Sequence, residues 1–516
     1  MYPIAQYALY KTLYVLLSLS LLTLAACAQL QIPTAPPGGV TPEWYASLTP
    51  SPRASSTTTP DAALTADAAR FRETVLAFQT QSAAENATER AATARPTETA
   101  TLLPGTPYPT PDLAVLSPAN ISRLEEIAAF THPDIRIAYL HPSGLHLIIT
   151  TSTKKIIYRT DALLAIRTYD NDYALNPFLV YAYSDDGTLV AMARPDGTIA
   201  VDNLETGEIQ YLDGHPEGIT ALAISPDNRL VASLGVDDGN LILWDTISGQ
   251  PAATFFTRFH FNYARTGNWV AFSPDSSKVA AYAVESSSIL IWDVADLIGD
   301  AAPPAYLALS EHIAPPLSFL FSPDWQTVAW TEHDKLQFMD SLGNPLGEPI
   351  QHEDIIMLPQ FTSDGTRLVL ANAETIGASY AGVLLTYEIA TQERVQTLAG
   401  PDFVSEWAFS PDESEIAAGY ANGRLYLWDY LTGQLRFELL GHTARIQTAI
   451  YSPDGRMLAT ASEDGSVRLW GTSSGGELVA LPINPDAGQW LAFTPDGKLL
   501  VVVSTDGRVV FYGVRE

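Results

Sequence analysis

The feature that most restricts how this chain can fold is a short turn that returns at intervals of roughly 40 to 50 residues. Copies stand at His141-Pro142-Ser143-Gly144, Ser184-Asp185-Asp186-Gly187, Ser225-Pro226-Asp227, Ser273-Pro274-Asp275, Ser322-Pro323-Asp324, Ser363-Asp364-Gly365, Ser410-Pro411-Asp412, Ser452-Pro453-Asp454 and Thr494-Pro495-Asp496. Proline presets φ, aspartate bonds to nearby backbone and glycine accepts positive φ, so each copy marks the tip of a tight hairpin. The clearest unit runs from Leu435 to Gly471. Leu435, Phe437 and Leu439 alternate with Arg436 and Glu438, and Ile446, Thr448 and Ile450 alternate again after Gly441-His442. A third strand covers Met457 to Ala461, and Val467, Leu469 and Trp470 close a fourth beyond the turn Glu463-Asp464-Gly465. Four short antiparallel strands per unit make one blade of a propeller.

These units resemble WD repeats. The Trp-Asp pair appears as Trp244-Asp245, Trp292-Asp293 and Trp428-Asp429, and decays to Val201-Asp202, Met339-Asp340, Trp470-Gly471 and Tyr512-Gly513. The expected fold is all-β: a single β-propeller of four-stranded antiparallel blades over 116–516. Nine units are counted, so a ring of eight or nine blades is expected, closed by Ile121 to Phe130 beside Val509 to Phe511. The resemblance also implies a buried tetrad of His, Ser or Thr, Asp and Trp. The full set is expected at His442, Ser462, Asp464 and Trp470. His215, Asp238 and Trp244 form a partial set with Val236 at the hydroxyl position. Such histidines and aspartates read as satisfied packing groups and not as catalysts.

The N-terminus reads as an address. Lys11 precedes an apolar run, Thr12 to Ala26, which is too short to span a bilayer and suits a signal h-region. Its ending, Leu24-Ala25-Ala26-Cys27, resembles the bacterial lipobox. That resemblance implies cleavage after residue 26 and acylation of Cys27, and hence an extracytoplasmic protein tied to the membrane by lipid. Residues 27–115 then form a Pro, Thr, Ser and Ala-rich stalk, with a short helix expected near 61–92.

Chemistry is sparse. Cys27 is the only cysteine, so neither an internal disulfide nor a cysteine-built zinc site is possible. With 58 acidic against 28 basic residues the net charge is −30, which repels nucleic acid. The sequence has no zinc-binding HExxH pair, no phosphate-cradling loop and no nucleophile elbow. No metal, cofactor or catalytic residue is therefore expected. Two departures from the repeat are candidate binding surfaces: the aromatic alternation Phe255 to Tyr263, with Phe259, Phe261 and Tyr263, and a long connection Ala373 to Ala381, with Tyr380. The reading is a non-catalytic scaffold for unidentified protein partners. A solute- or glycan-binding lipoprotein and a propeller enzyme with a central-channel site stand as alternatives.

Overall fold

The computed structural model describes residues 112–516, apart from 133, 171–179, 195, 216–217, 237–238, 257–268, 284–287, 299–304, 309–317, 333, 342, 377–378, 484–488 and 505. The address, Cys27 and the stalk, with its expected helix near 61–92, lie outside the described residues. Within these residues the strands form nine antiparallel sheets, numbered here as blades 1 to 9: 135–170, 181–213, 219–256, 269–308, 318–351, 357–399, 404–439, 446–482 and 489–515. In blades 1 to 8 four strands, a to d, run from the innermost to the outermost; segment 489–515 supplies three strands of blade 9, and residues 113–114 and 125–131 pair on its outer edge. This is a nine-bladed propeller, the larger of the two expected rings.

Burial explains the strand sequences. In blade 8 all six residues of strand b, Met457–Ser462, are buried, as are all six of Glu415–Tyr420 and Leu230–Gly235 in blades 7 and 3. A strand covered on both faces cannot alternate, so these segments read as nearly continuous runs of small and aliphatic residues. Alternation survives in an outermost strand such as Leu435–Leu439, where Leu435, Phe437 and Leu439 alternate with Arg436 and Glu438. Nine apolar clusters fill the seams, each shared by two neighbouring blades. Leu147, Tyr158, Val501 and Phe511 join blade 1 to blade 9 and complete the circuit.

Ring closure is shorter than the sequence suggests. Ile121–Arg123 is a single 3-10 turn, and strand Glu125–Thr131 pairs with Arg508–Arg515 as the outermost strand of blade 9. The register slips between Glu126 and Ala128, which places a bulge at Ile127. That bulge accounts for the three-residue steps Leu124, Ile127, Phe130. Leu113–Ala114 pairs farther along the same strand, and Arg515 Nε meets Glu125 at 2.8 Å.

The recurrent turns share one bond pattern. In blade 8 Ser452 Oγ donates to Asp454 Oδ1 at 2.6 Å and accepts from Met457 N at 3.0 Å. Blade 6 repeats it with Thr362, one residue earlier than the serine read from the sequence, donating to Asp364. Successive turns also touch. Asn228 Nδ2 donates to Asp186 Oδ2 at 2.7 Å, and Ser363 N donates to Glu413 Oε1 at 2.7 Å. Both Asn228 and Glu413 sit at positive φ, the position that glycine fills in blades 6 and 8.

Candidate functional site

The blade-8 tetrad shows what these residues do. Trp470 Nε1 donates to Thr460 Oγ1 at 2.9 Å, and Thr460 lies 2.8 Å from His442 Nε2. His442 Nδ1 lies 2.9 Å from Asp464 Oδ2. The neutral tautomer with its proton on Nδ1 makes a one-way chain from Trp470 through Thr460 and His442 to Asp464. Burial lowers the His442 pKa, and the Asp464 bond offsets this only in part. Burial pushes Asp464 up, but bonds from Ser466, His442 and Thr443 outweigh it and hold the carboxyl below its ordinary value. Trp470, Thr460 and His442 thus each bond to a neighbour in the chain, and Thr443 N and Ser466 Oγ add two more bonds to Asp464.

Thr460 corrects the expectation of Ser462. The indole reaches diagonally to the residue two places beyond its cross-strand partner, and Trp470 is paired with Leu458. Ser462 lies a further two residues along, about 7 Å, and instead donates to Ala444 O at 2.8 Å. The same rule restores blade 3. Trp244 pairs with Val231, and Ser233 accepts from its indole at 2.8 Å and lies 2.7 Å from His215 Nε2. The hydroxyl is therefore Ser233, and Val236 never occupied that place. Asp238 lies outside the described residues. In blades 6 and 7 the position falls on Leu370 and Ala418, which carry no hydroxyl. His352 Nε2 is accordingly buried without a partner.

Blade 2 departs furthest. The turn bonds from Glu205 N and Thr206 N go to Asn203, matching those that Ile247 and Ser248 make to Asp245. Asn203 thus holds the Asp place, and Asp202, not Val201, holds the Trp place. Its buried carboxylate meets Arg167 Nε of blade 1 at 2.9 Å and Tyr169 OH at 2.5 Å. An inter-blade ion pair replaces an indole at this seam.

The expected connection Ala373 to Ala381 is strand on both sides of residues 377–378, which lie outside the described residues. Strands Arg367–Ile376 and Ser379–Glu388 stay in register to the pair Ile376↔Ser379, so blade 6 carries a b–c hairpin of ten residues per arm. Strand a pairs only as far as Ala371, and strand d only as far as Val383. The tip rises beyond the rest of its sheet, with Tyr380 paired to Thr375. Arg394 Nη1 reaches back to both Glu374 carboxylate oxygens at 2.8 Å. Phe259, Phe261 and Tyr263 lie outside the described residues. Phe255, where that alternation begins, packs edge-on against Trp292 in the seam of blades 3 and 4.

On the opposite rim, the turns of blades 4 and 5 enclose a cleft of about 220 Å³ lined by Asp275, Lys278, Asp324, Trp325 and Gln326, among others. Trp325 takes φ 57 and stacks on Phe321 at 4.4 Å, filling the seam. Among the described residues no group of three or more His, Cys, Asp or Glu is placed to hold a metal ion.

Comparison with known proteins agrees with this geometry. Segments 207–245, 392–429 and 433–471 match the family model described as "WD domain, G-beta repeat". Each contains the d strand of one blade and the a to c strands of the next. The chain is 38% identical over 69 residues to "WD repeat-containing protein SL1-17" of Schistosoma mansoni, covering 13% of this chain and 23% of that protein. It is 26% identical over 113 residues to "COMPASS component SWD3" of Saccharomyces cerevisiae, covering 22% and 35%. An uncharacterized WD repeat-containing protein of Synechocystis sp. is 27% identical over 110 residues, covering 21% and 31%. The chain thus spans about a third or less of the curated relatives it matches. The designed Ika8 protein, a solved structure, covers 65% of this chain over 96% of its own, with 20% identity and a TM-score of 0.43. The repeats and their relatives support a WD-repeat β-propeller family.

Proposed function

We propose that this WD-repeat propeller is a non-catalytic platform for protein contacts, held outside the bacterial cytoplasmic membrane by lipid on Cys27. Propellers of this kind are commonly interaction scaffolds. The observation that carries the reading is the contrast between two sets of groups. The polar side chains that resemble catalytic residues are bonded to one another in the tetrad, whereas the departures from the repeat lie at the rim, where a partner can reach them. The tether rests on Leu24-Ala25-Ala26-Cys27 and on the Pro-rich stalk, which together would lift a rigid ring clear of the lipid.

Two measurements test it. Cells fed radiolabelled fatty acid should label the full chain, and Cys27→Ala should carry no label. Equal labelling of both would remove the lipid tether. Affinity capture of the crosslinked full chain from the native envelope should recover a reproducible protein partner. Repeated recovery of the chain alone would remove the scaffold.

A further inference from the structure

The rim opposite the blade-6 hairpin departs from its repeat where residue 112 joins the ring. A Cβ added at Gly144, Gly365 or Gly455 would meet the proline of the preceding turn, Pro495, Pro323 or Pro411. At Gly497 it would meet Val115 instead, so Val115 stands beside the blade-9 turn where other blades bring a neighbouring proline. Val115 is not a frayed end. Leu116 N donates to Gly497 O at 2.8 Å, and Asn120 Nδ2 donates to Val115 O at 2.9 Å. Its side chain is nevertheless 51% exposed. Leu145, in the blade-1 turn, is 39% exposed, and its carbonyl accepts from Thr160 N at 2.9 Å. Pro495, exposed in the blade-9 turn, is the group that Gly144 of Leu145's own turn meets. Val115, Pro495 and Leu145 thus form a row of fixed apolar groups facing water.

We propose that residues 102–111 of this same chain fold back onto that row and seat Leu103 and Tyr108 against Val115, Pro495 and Leu145. The segment, LLPGTPYPTP, lies outside the described residues. Position names it as the occupant. Glu516 N donates to Asp112 O at 3.1 Å, and Leu113–Ala114 pairs with the end of Arg508–Arg515, so the chain enters the ring at this rim. Tyr108 precedes Asp112 by four residues, a reach of about 13 Å. Chemistry agrees with position. The segment brings Leu102, Leu103 and Tyr108 but no charged side chain, so it meets no repulsion from a chain of net charge −30. Its prolines favour an extended form in advance, which reduces the entropy lost on docking. Being covalently joined, it faces the row at an effective concentration that a separate partner rarely reaches. The inference deepens the platform reading, because a stalk seated on this rim leaves the blade-6 hairpin on the rim away from the tether.

The test uses the full chain with Cys27→Ala and Thr106→Cys, which places a nitroxide label on the only thiol. Its electron paramagnetic resonance spectrum should be broad, that of a label held against protein. Leu145→Asp and Tyr108→Asp should each narrow it to the spectrum of the same label on a free 98–112 peptide, with unchanged circular dichroism. Tyr108 lies outside the ring, so its variant reports on docking even if Leu145→Asp disturbs the fold. Ile247→Asp, at a residue 84% exposed elsewhere on this rim, should leave the spectrum broad. A narrow spectrum before any of these aspartates is introduced, or a broad one that Tyr108→Asp does not narrow, would overturn the docking. So would a broad spectrum that narrows on dilution, which would make the occupant a second copy. A narrow spectrum together with a recovered native partner removes the docking and keeps the platform; a broad one, narrowed by Tyr108→Asp, with no native partner keeps the docking and removes the platform.

Discussion

Thr460 carries more than its size suggests, because it holds both the Trp470 indole and the His442 ring. Thr460→Val keeps the volume and strands both partners. Urea unfolding should show a loss of about 1–3 kcal/mol, and an unchanged midpoint would show that the chain does not contribute to stability. This residue was hard to find from sequence. Counting back from the tryptophan gives ten residues to Thr460 but eleven to Ser233, because the intervening hairpins differ in length. The resemblance placed the hydroxyl position at Ser462 and Val236, two and three residues beyond the Thr460 and Ser233 that fill the place. Two other histidines set a pH dependence. Burial lowers His141 to about 4 and His352 to about 4, from an ordinary 6.5. Both are neutral in the folded protein at neutral pH, and the unfolded chain takes up protons first. The stability is therefore complete above about pH 6.5 and is lost as pH falls toward 4. Denaturation midpoints should drop between pH 7 and 5, and His141→Gln should shrink that drop; a flat profile would contradict the assignment.

The seam between blades 1 and 2 differs from the others. Asp202 and Arg167 are buried there, with Asp202 where the other blades place an aromatic residue or Met339. Removing one partner leaves a buried charge, so Asp202→Ala should cost about 3–5 kcal/mol in chemical denaturation. A loss below 1 kcal/mol, on the order of a surface pair, would mean the seam takes up water. Lys155 shares this seam, fully buried, its amine 2.6 Å from the centre of the Tyr181 ring and without a hydrogen-bond partner. Lys155→Met removes an unsatisfied polar group and should raise stability by about 1–3 kcal/mol; a fall would show that the amine is needed. The ion pair was invisible in the sequence. Val201-Asp202 reads as a decayed Trp-Asp pair until the turn bonds show Asn203 in the Asp place. The blade-6 hairpin was misread for a related reason. The small and polar residues of Ala373 to Ala381 look like a loop, yet cross-strand pairing carries Ala373 to Ile376 and Ser379 to Ala381 as strand.

At the scale of the ring, the turns were legible because proline, aspartate and glycine act locally, and nine of them gave the architecture. The nine units were counted there too, but whether all nine would join the ring was not legible, since closure joins residues nearly four hundred positions apart and no local pattern reports that pairing. Strand Glu125–Thr131 is what turns nine sheets into a circle. Ala129→Pro removes a donor within it, and thermal unfolding should move down and broaden as blades 9 and 1 part; an unaltered transition would mean that the ring does not depend on this strand. A closed ring suits a platform, because its rim loops are held at fixed spacing while varying independently. The most direct measurement of that role is crosslinking mass spectrometry on intact cells carrying the full chain. The account predicts intermolecular links that cluster on the rim bearing the blade-6 hairpin, with a partner that recurs between preparations. Links spread evenly over the ring, or none above an unrelated envelope protein, would contradict it.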